Sequence, residues 1–249
     1  LIPSDDAWKS LLDEKTITDN KRRAEKKYEQ LATDELQYLR KRAKTDLMFL
    51  VYSVLGYNKL TPKLHGNFCT WLMKTQDQHY RLGLLPRGHF KTTIGTVGDS
   101  IQSALPAVEG SNPTSPRDLG PNIRILLAHE SHEGATRFNY EITNHFVANP
   151  RLMGLFPECV PTPRLQRMNK LELELPRDEH WAEPTFDTFG VGARSQGRHY
   201  DLIKLDDIFG DKARDSRAER EATILWFDNI QAFLVSLATG HIDIFGTRY

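Results

Sequence analysis

A turn near position 90 combines residue types that bind phosphate groups. Residues 82–85 (LGLL) have the composition of a short buried strand, and residues 92–105 place apolar side chains every three to four positions, as an amphipathic helix does. The N-terminus of a helix after such a turn presents unpaired N–H groups and a partial positive charge. Lys91 could then reach the β- and γ-phosphates of a nucleotide, and the Thr92 hydroxyl could bind Mg²⁺.

The turn matches the common phosphate-loop pattern G-x-x-x-x-G-K-[ST] imperfectly. Phe90 stands where the second glycine is expected, and Leu85 stands where the first is expected. The pattern alone therefore leaves two interpretations open: a phosphate-binding loop, or an ordinary strand–turn–helix connection with a surface lysine at position 91.

Two adjacent carboxylates favour the first interpretation. Residues 202–207 (LIKLDD) predict a strand that ends at Asp206 and Asp207. In a parallel sheet these residues would lie at the carboxyl edge beside the turn, where open α/β sheets bind their ligands. Asp206 could hold the hydration shell of Mg²⁺, and Asp207 could orient and deprotonate an attacking water. Lys204 interrupts the apolar strand, so we expect its side chain on a partly open side of the sheet.

The pattern of elements around these residues predicts an α/β fold. An N-terminal helical arm is followed by strands that alternate with helices, which implies a mostly parallel sheet with helices on both faces. The predicted arm helices cover 20–44, 46–55 and a segment from Thr61, the expected N-cap, through Trp71. The predicted strands are 82–85, 123–128, 171–175, 202–205 and 242–245, and the predicted later helices are 92–105, 131–148 and 217–235.

Composition excludes several functional classes. The 249 residues include 33 basic and 33 acidic side chains, so the chain does not act through an overall positive charge as a DNA-coating protein does. No run of about 18 apolar residues predicts a membrane-spanning helix. Cys69 and Cys159 are too few for a disulfide framework, and Cys and His residues at zinc-binding spacing are absent. We expect a protein of the reducing cytoplasm without membrane contact.

In its ordered motifs, the chain over residues 60–249 resembles the ATPase domain of the large terminase subunit of tailed bacteriophages, the motor that packages DNA. Residues 86–93 (PRGHFKTT) resemble that family's arginine-containing variant of the phosphate loop, and residues 60–65 resemble the preceding segment that receives adenine. Further similar segments are 125–129 with 135–138, the glycine- and arginine-containing 192–198 before Asp201, and the coupling motif at 246–249.

The resemblance implies a P-loop NTPase of the ASCE or RecA-like type. Residues 1–58 would form the helical arm, and residues 59–249 would form the ATPase domain. The nuclease domain of the family would follow residue 249, so we expect no DNA cleavage by this chain. The ATP-binding residues would be His65, Arg87, Gly88, His89, Phe90, Lys91, Thr92 and Thr93.

The resemblance also implies roles in hydrolysis, with ATP and Mg²⁺ as cofactors. Lys91 and Asp207 would act in catalysis, while Thr92 and Asp206 would bind the metal ion. Thr247 would report the state of the γ-phosphate and couple hydrolysis to motion.

Double-stranded DNA, the portal of the procapsid and the small terminase subunit are the partners that the resemblance implies. The chain would be a monomer in dilute solution and a homo-oligomeric ring when assembled, in the host cytoplasm with transient docking on the procapsid. In the ring, Arg194 of one subunit would be the arginine finger of its neighbour, with Arg198 as the alternative. The excess of basic residues at 20–44 leaves three interpretations open: a solvated helix face, a docking surface for a protein partner, or a contact with DNA phosphates.

Two departures from the family pattern keep other functions open. Phe90 replaces the glycine before Lys91, and Asp207 replaces the usual glutamate and shortens the reach of the carboxylate. We therefore predict a DNA-translocating ATPase and keep two alternatives. One is a nucleotide-gated portal-docking or assembly module with little hydrolysis, and the other is a different P-loop DNA ATPase such as a helicase.

Overall fold

The computed structural model of the chain describes residues 2–108, 115–193, 197–210, 213 and 215–247. Its strands are β1 (Tyr80–Leu85), β2 (Ile125–His129), β3 (Glu172–Leu173), β4 (Phe186–Gly190), β5 (Leu202–Asp206) and β6 (His241–Thr247). They form one sheet in the order β1–β6–β5–β2–β4–β3. All neighbours are parallel except β3, which is antiparallel to β4. The predicted α/β fold with a mostly parallel sheet is confirmed.

Helices precede the sheet and connect its strands. They are α1 (Asp5–Leu11), α2 (Glu14–Tyr28), α3 (Thr33–Thr45), α4 (Leu47–Phe49), α5 (His65–Lys74), α6 (Asp99–Ala104), α7 (His132–Ala148), α8 (Pro150–Leu155) and α9 (Arg217–Ile230). A π-helical turn, Leu50–Val54, continues α4, and a second one, Thr92–Gly98, leads into α6. No helix within the described ranges is both long and apolar enough to span a membrane.

Apolar side chains cover both faces of the sheet. Successive residues of β5 point to opposite faces, as in any strand. Leu202 belongs to the cluster that contains Ile94 and Phe138, which lie on the helices that follow β1 and β2. Ile203 belongs to the cluster on the other face, which contains Trp226 of α9. Strands that are buried on both faces need a nearly continuous apolar sequence. This is why β2 and β5 could be predicted from the sequence.

The helical arm packs onto the same core as the sheet. Helix α2 lies against α7 and α8. Ala43 and Leu47, at the end of α3 and the start of α4, belong to the hydrophobic cluster that contains Ile94. The basic side chains of Arg22, Arg23, Lys26 and Lys27 on α2 remain exposed.

Lys44 fastens the arm to the end of α6. The buried ammonium group donates its three hydrogens among four backbone carbonyls that lie 2.7–3.3 Å away, those of Gln102, Ser103, Leu105 and Arg117. Burial lowers the pKa of Lys44 to about 8. The last carbonyls of a helix carry a partial negative charge and have no partner within the helix, so a cation is favourable there.

The helix predicted at 46–55 is present at 47–54, whereas the other two arm helices begin or end at other residues than predicted. Residues 20–44 belong to two helices, α2 and α3, because the chain turns at 29–32. The charges fit this break, since α2 ends in basic and α3 begins in acidic residues, each favourable with the helix dipole. Thr61 is not the N-cap of α5, which begins at His65. Instead, the backbone N–H of Thr61 donates to His65 Nδ1 at 2.7 Å.

Strand β4 was not predicted, and the strand expected at 171–175 is only Glu172–Leu173. The polar Asp187 obscures the apolar pattern of β4. Its carboxylate is nevertheless buried, because it accepts a hydrogen bond from the Tyr200 hydroxyl at 2.6 Å and contacts the Arg198 guanidinium. A charge that is paired and hydrogen-bonded can occupy a core position that an apolar residue would otherwise take.

His145 is a buried histidine held in a hydrogen-bond network. Its Nε2 atom lies 2.8 Å from the Tyr57 hydroxyl, which itself donates to Glu141. Its Nδ1 atom lies 3.1 Å from the side-chain amide of Asn149. In the tautomer that satisfies this network, Nε2 donates and Nδ1 accepts. Burial lowers the pKa of His145 from 6.5 to about 4, so the folded state holds the ring neutral.

We expect stability to fall as the pH drops from about 6.5 towards 4, because only the unfolded state binds the proton in that window. A pKa difference of this size corresponds to a loss on the order of 3 kcal/mol. Urea unfolding across this pH range measures the loss. His145→Gln keeps hydrogen-bonding groups without the titration and should reduce the slope, although His241, whose pKa burial also lowers to about 4, still contributes. An unchanged slope in the variant would assign the acid sensitivity elsewhere.

Candidate functional site

The carboxyl ends of the central parallel strands meet at one edge of the sheet. Strand β6 lies between β1 and β5, and β2 lies on the other side of β5. The turn at 86–91 follows β1, Asp206 ends β5, and Thr247 ends β6. The sheet therefore brings together residues that are far apart in the sequence.

Lys91 lies between the two carboxylates of the predicted site. Its Nζ atom donates to Asp206 Oδ1 at 2.8 Å and to Asp207 Oδ2 at 2.5 Å. Asp206 is fully buried, and its Oδ2 atom accepts from the Thr96 hydroxyl at 2.7 Å. Burial alone would lower the pKa of Lys91, but the carboxylates of Asp206 and Asp207 raise it above its ordinary value. Lys91 is therefore a cation at neutral pH, at the sheet edge.

Both carboxylate oxygens of Asp207 have partners. Oδ1 accepts from the backbone N–H of Thr247 at 3.0 Å and from its hydroxyl at 3.1 Å, while Oδ2 accepts from Lys91. The backbone N–H of Asp207 donates to the carbonyl of Phe245 at 2.9 Å. Asp207 thus links the end of β6 to the turn after β1.

Backbone strain concentrates at this site. Among the described residues, the two non-glycine residues with positive φ are Phe90, at 53°, and Asp207, at 47°. This left-handed conformation costs a non-glycine residue roughly 1–2 kcal/mol, and it persists where surrounding structure enforces it, often at functional sites. Phe90 therefore adopts the bend that glycine adopts freely, and its ring contacts His65 edge to face at 5.3 Å.

A wide helical turn follows Lys91. Residues Thr92–Gly98 are π-helical, and such turns are frequent at functional sites. Gly95 faces β6, where an added Cβ atom would lie 2.8 Å from the Phe245 ring, so the close approach of helix and sheet requires glycine. Thr92 is half-buried and has no hydrogen-bond partner in the described part of the chain, which leaves its hydroxyl available for a ligand.

Thr92 and Asp206, the two residues predicted to bind Mg²⁺, both carry oxygen donors at this edge of the sheet. Mg²⁺ usually takes one or two protein oxygens and completes its octahedron with waters and phosphate oxygens. The unpartnered Thr92 hydroxyl and the Asp206 carboxylate are hard oxygen donors of that kind. Across the described ranges, no group of three or more His, Cys, Asp or Glu residues is arranged to hold a metal ion.

The other residues predicted to bind ATP lie in this turn or next to it. Gly88 has a φ of 81°, and both Gly88 and Arg87 are exposed. The Nδ1 atom of His89 lies 3.1 Å from the carbonyl of Arg87. Thr93 is half-buried on the first turn of the helix, and His65 reaches the loop through its contact with Phe90.

Of the two arginine-finger candidates, the structure describes only Arg198. Arg194 lies outside the described residues. Arg198 is paired with Asp187 and lies 3.1 Å from a carboxylate oxygen of Glu172. Asp187 is the second residue of β4, near the amino end of that strand and away from the carboxyl edge. Arg198 is therefore not part of the Lys91 site of its own chain.

Lys204 points into the core, so the prediction of a partly open position is wrong. Its ammonium group is fully buried and contacts the carboxylates of Asp99 and Asp243. Arg81 and Arg117 contact the same two carboxylates, Arg81 at 2.5 Å from Asp243 and Arg117 at 2.5 Å from Asp99. Three cations thus surround two anions, which we call the buried ion cluster.

The buried ion cluster joins the elements that carry the candidate site. Arg81 belongs to β1, which leads into the turn, and Asp99 begins α6 behind Lys91. Lys204 lies two residues before Asp206 on β5, and Asp243 belongs to β6, which ends at the residue that contacts Asp207. Buried pairs of this kind stay ordered only while all partners remain, so the cluster fixes the elements relative to one another.

Sequence reasoning missed Thr96 and all members of the buried ion cluster except Lys204. Thr96 carries a detectable signal, since it lies one helical turn after Thr92 and would face the same side. The cluster has no local signal, because Arg81 and Asp243 meet only through the pairing of β1 with β6.

The sequence matches no protein-family model, and a search of the curated proteins found no match either. Function is therefore inferred from the geometry of this site together with the motifs of the sequence.

Proposed function

We propose that this chain is a RecA-like P-loop ATPase, the motor domain of a large terminase that drives double-stranded DNA into a procapsid. The observation that supports it most is Lys91 between Asp206 and Asp207 at the carboxyl edge of a parallel sheet. A cation at a helix start, opposite two carboxylates at a strand end, is the set of protein groups that hydrolysis of a Mg²⁺–nucleotide complex uses.

In this proposal, the phosphates of ATP compete with the carboxylates for Lys91. The Thr92 hydroxyl and Asp206 would hold Mg²⁺, which neutralises phosphate charge when bound. Asp207, no longer paired with Lys91, would orient a water and accept its proton. The contact between Asp207 and Thr247 gives β6 a direct link to this change, which supports a coupling role for Thr247.

The partners in the proposal are double-stranded DNA, the portal of the procapsid and the small terminase subunit, met in the host cytoplasm. The exposed basic residues of α2 and the exposed Arg87 at the rim of the turn are compatible with anionic partners. In an assembled ring, Arg194 would serve the γ-phosphate of the neighbouring subunit.

A nucleotide-gated assembly module with little hydrolysis is the second candidate. It is favoured by the engagement of both Asp207 oxygens, which already accept hydrogen bonds from Lys91 and Thr247 in this state. The two candidates share nucleotide binding and differ in turnover. A chain that turns over ATP, faster with double-stranded DNA, supports the motor, and tight binding without turnover supports the assembly module. Absence of nucleotide binding would reject both.

Lys91→Ala should weaken binding of Mg²⁺–ATP at least about tenfold and abolish turnover, because the ammonium contacts phosphates before and during the reaction. Fluorescent-nucleotide titration and phosphate release measure the two effects. Lys74→Ala is the matched control, since Lys74 is an exposed lysine at the end of α5. Unchanged affinity in Lys91→Ala, with the fold intact by circular dichroism, would remove the lysine from the phosphate site.

A further inference from the structure

His129 ends β2 beside the candidate site, and the sequence motifs give it no role. The pairing of β2 with β5 runs in register to Ala128 and Leu205. One residue further, His129 comes level with Asp206 on the neighbouring strand, and side chains at such positions lie about 5 Å apart. His129 and Asp206 also share a face of the sheet. Residues an even number of positions apart on a strand point to the same face. Leu127, two residues before His129, and Leu202, four residues before Asp206, belong to the same hydrophobic cluster.

The surroundings of the ring fix which nitrogen carries the proton. Nδ1 lies 3.1 Å from the backbone N–H of Ser131, which can only donate, so Nδ1 accepts. The ring rests on Gly134, where an added Cβ atom would lie 2.0 Å from Nδ1, and it meets Phe138 edge to face at 5.7 Å. In the neutral ring, Nε2 therefore carries the hydrogen.

The ring is a neutral donor at the sheet edge. Burial lowers the pKa of His129, although Asp206 and Asp207 act in the opposite direction. A neutral N–H group can approach an anionic oxygen without the desolvation cost of a second full positive charge beside Lys91. Asp206 has both oxygens engaged by Lys91 and Thr96, so it does not require this donor in the free protein.

We propose that the Nε2–H group of His129 is a positioning contact for the terminal phosphate of a bound nucleoside triphosphate. The inference rests on the proposed nucleotide site and adds a residue that distinguishes ATP from ADP there. A donor that contacts only the γ-phosphate strengthens triphosphate binding and leaves diphosphate binding unchanged. Hydrogen bonds to charged groups are strong enough to make this preference about tenfold or more.

The test compares the affinities of the wild-type chain for Mg²⁺–ADP and for a non-hydrolysable Mg²⁺–ATP analogue by isothermal titration calorimetry. In His129→Phe, the ring still packs on Gly134 and Phe138 but has no donor. We expect its preference for the triphosphate over the diphosphate to fall about tenfold, with ADP affinity unchanged. His129→Gln, whose amide reaches about as far as Nε2, should recover most of the preference. His132→Phe is the control, since His132 is exposed at the start of α7.

Each outcome distinguishes this inference from the proposed function. If wild type binds neither nucleotide, the nucleotide site itself is rejected and the role of His129 with it. If wild type binds both and His129→Phe keeps the triphosphate preference, the nucleotide site stands and the inference is wrong. Equal losses for both nucleotides in His129→Phe would assign the ring a structural role and also overturn it.

Discussion

Asp207→Asn is expected to reduce ATP turnover at least about 100-fold while nucleotide affinity stays the same or rises. General-base catalysis by a positioned carboxylate contributes about this much, and the amide cannot take the proton from water. The side-chain oxygen of asparagine can still accept from Thr247, so the end of β6 keeps its contact. The ion pair with Lys91 is lost, which frees the ammonium for phosphates and should raise affinity a few-fold. Phosphate release and nucleotide titration on one preparation measure both effects.

Asp228→Asn is the matched control for Asp207→Asn, because Asp228 is an exposed aspartate on α9. Parental turnover in Asp207→Asn would contradict the assignment. The role would then pass to Glu130, which follows β2 and whose carboxylate lies against Gly210 in the loop after β5. Asp201 is a poor substitute, because it pairs with Arg124 at the amino end of β5.

The elements that could be predicted are those whose pattern is local. Strands β2 and β5 are continuous apolar runs because both of their faces are covered, and the carboxylates after β5 follow from where that run ends. Strand β4 was missed because Asp187 lies inside it, and only the distant Tyr200 and Arg198 make that charge tolerable. Such contacts join residues that are distant in the sequence, so the residues next to Asp187 in the chain do not predict them.

The turn at 86–91 shows a different limit of sequence patterns. A motif records residue type, whereas the turn needs a conformation, and Phe90 provides the glycine-like φ at an energetic cost. Its ring contacts His65 edge to face, and that contact has no signal in the local sequence. The departure at position 90 therefore weakens the motif without removing the bend that the motif represents.

Lys204 shows most directly why charge inside a strand was misread. A lysine among apolar residues suggests an open position, but the buried ion cluster supplies two carboxylates for it. Burial lowers the pKa of Lys204, and Arg117 and Arg81 act in the same direction, while Asp243 and Asp99 raise it. Arg81 and Arg117 therefore disfavour the charged form of Lys204, while the two carboxylates favour it.

The buried ion cluster has three cations and two carboxylates, so we expect the loss of a carboxylate to destabilise the fold more than the loss of a cation. Asp243→Asn would leave Arg81, Arg117 and Lys204 around the single carboxylate of Asp99, three cations against one anion. Removing one partner from a buried ionic group costs about 3–5 kcal/mol, since the remaining charges are uncompensated. Lys204→Met would leave two cations and two anions, with an apolar chain of similar length beside the Phe245 ring. We expect it to cost less than about half as much.

Urea unfolding at neutral pH measures this difference, with the wild-type chain unfolded in parallel. Asp243→Asn should shift the midpoint far below that of Lys204→Met. Because the cluster joins β1, α6, β5 and β6, the folded fraction of Asp243→Asn should also bind nucleotide more weakly than Lys204→Met does. Equal losses of stability would show that total charge does not govern the cluster. A larger loss in Lys204→Met would show instead that the hydrogen bond from Lys204 to the Gly95 carbonyl matters more than the balance of charge.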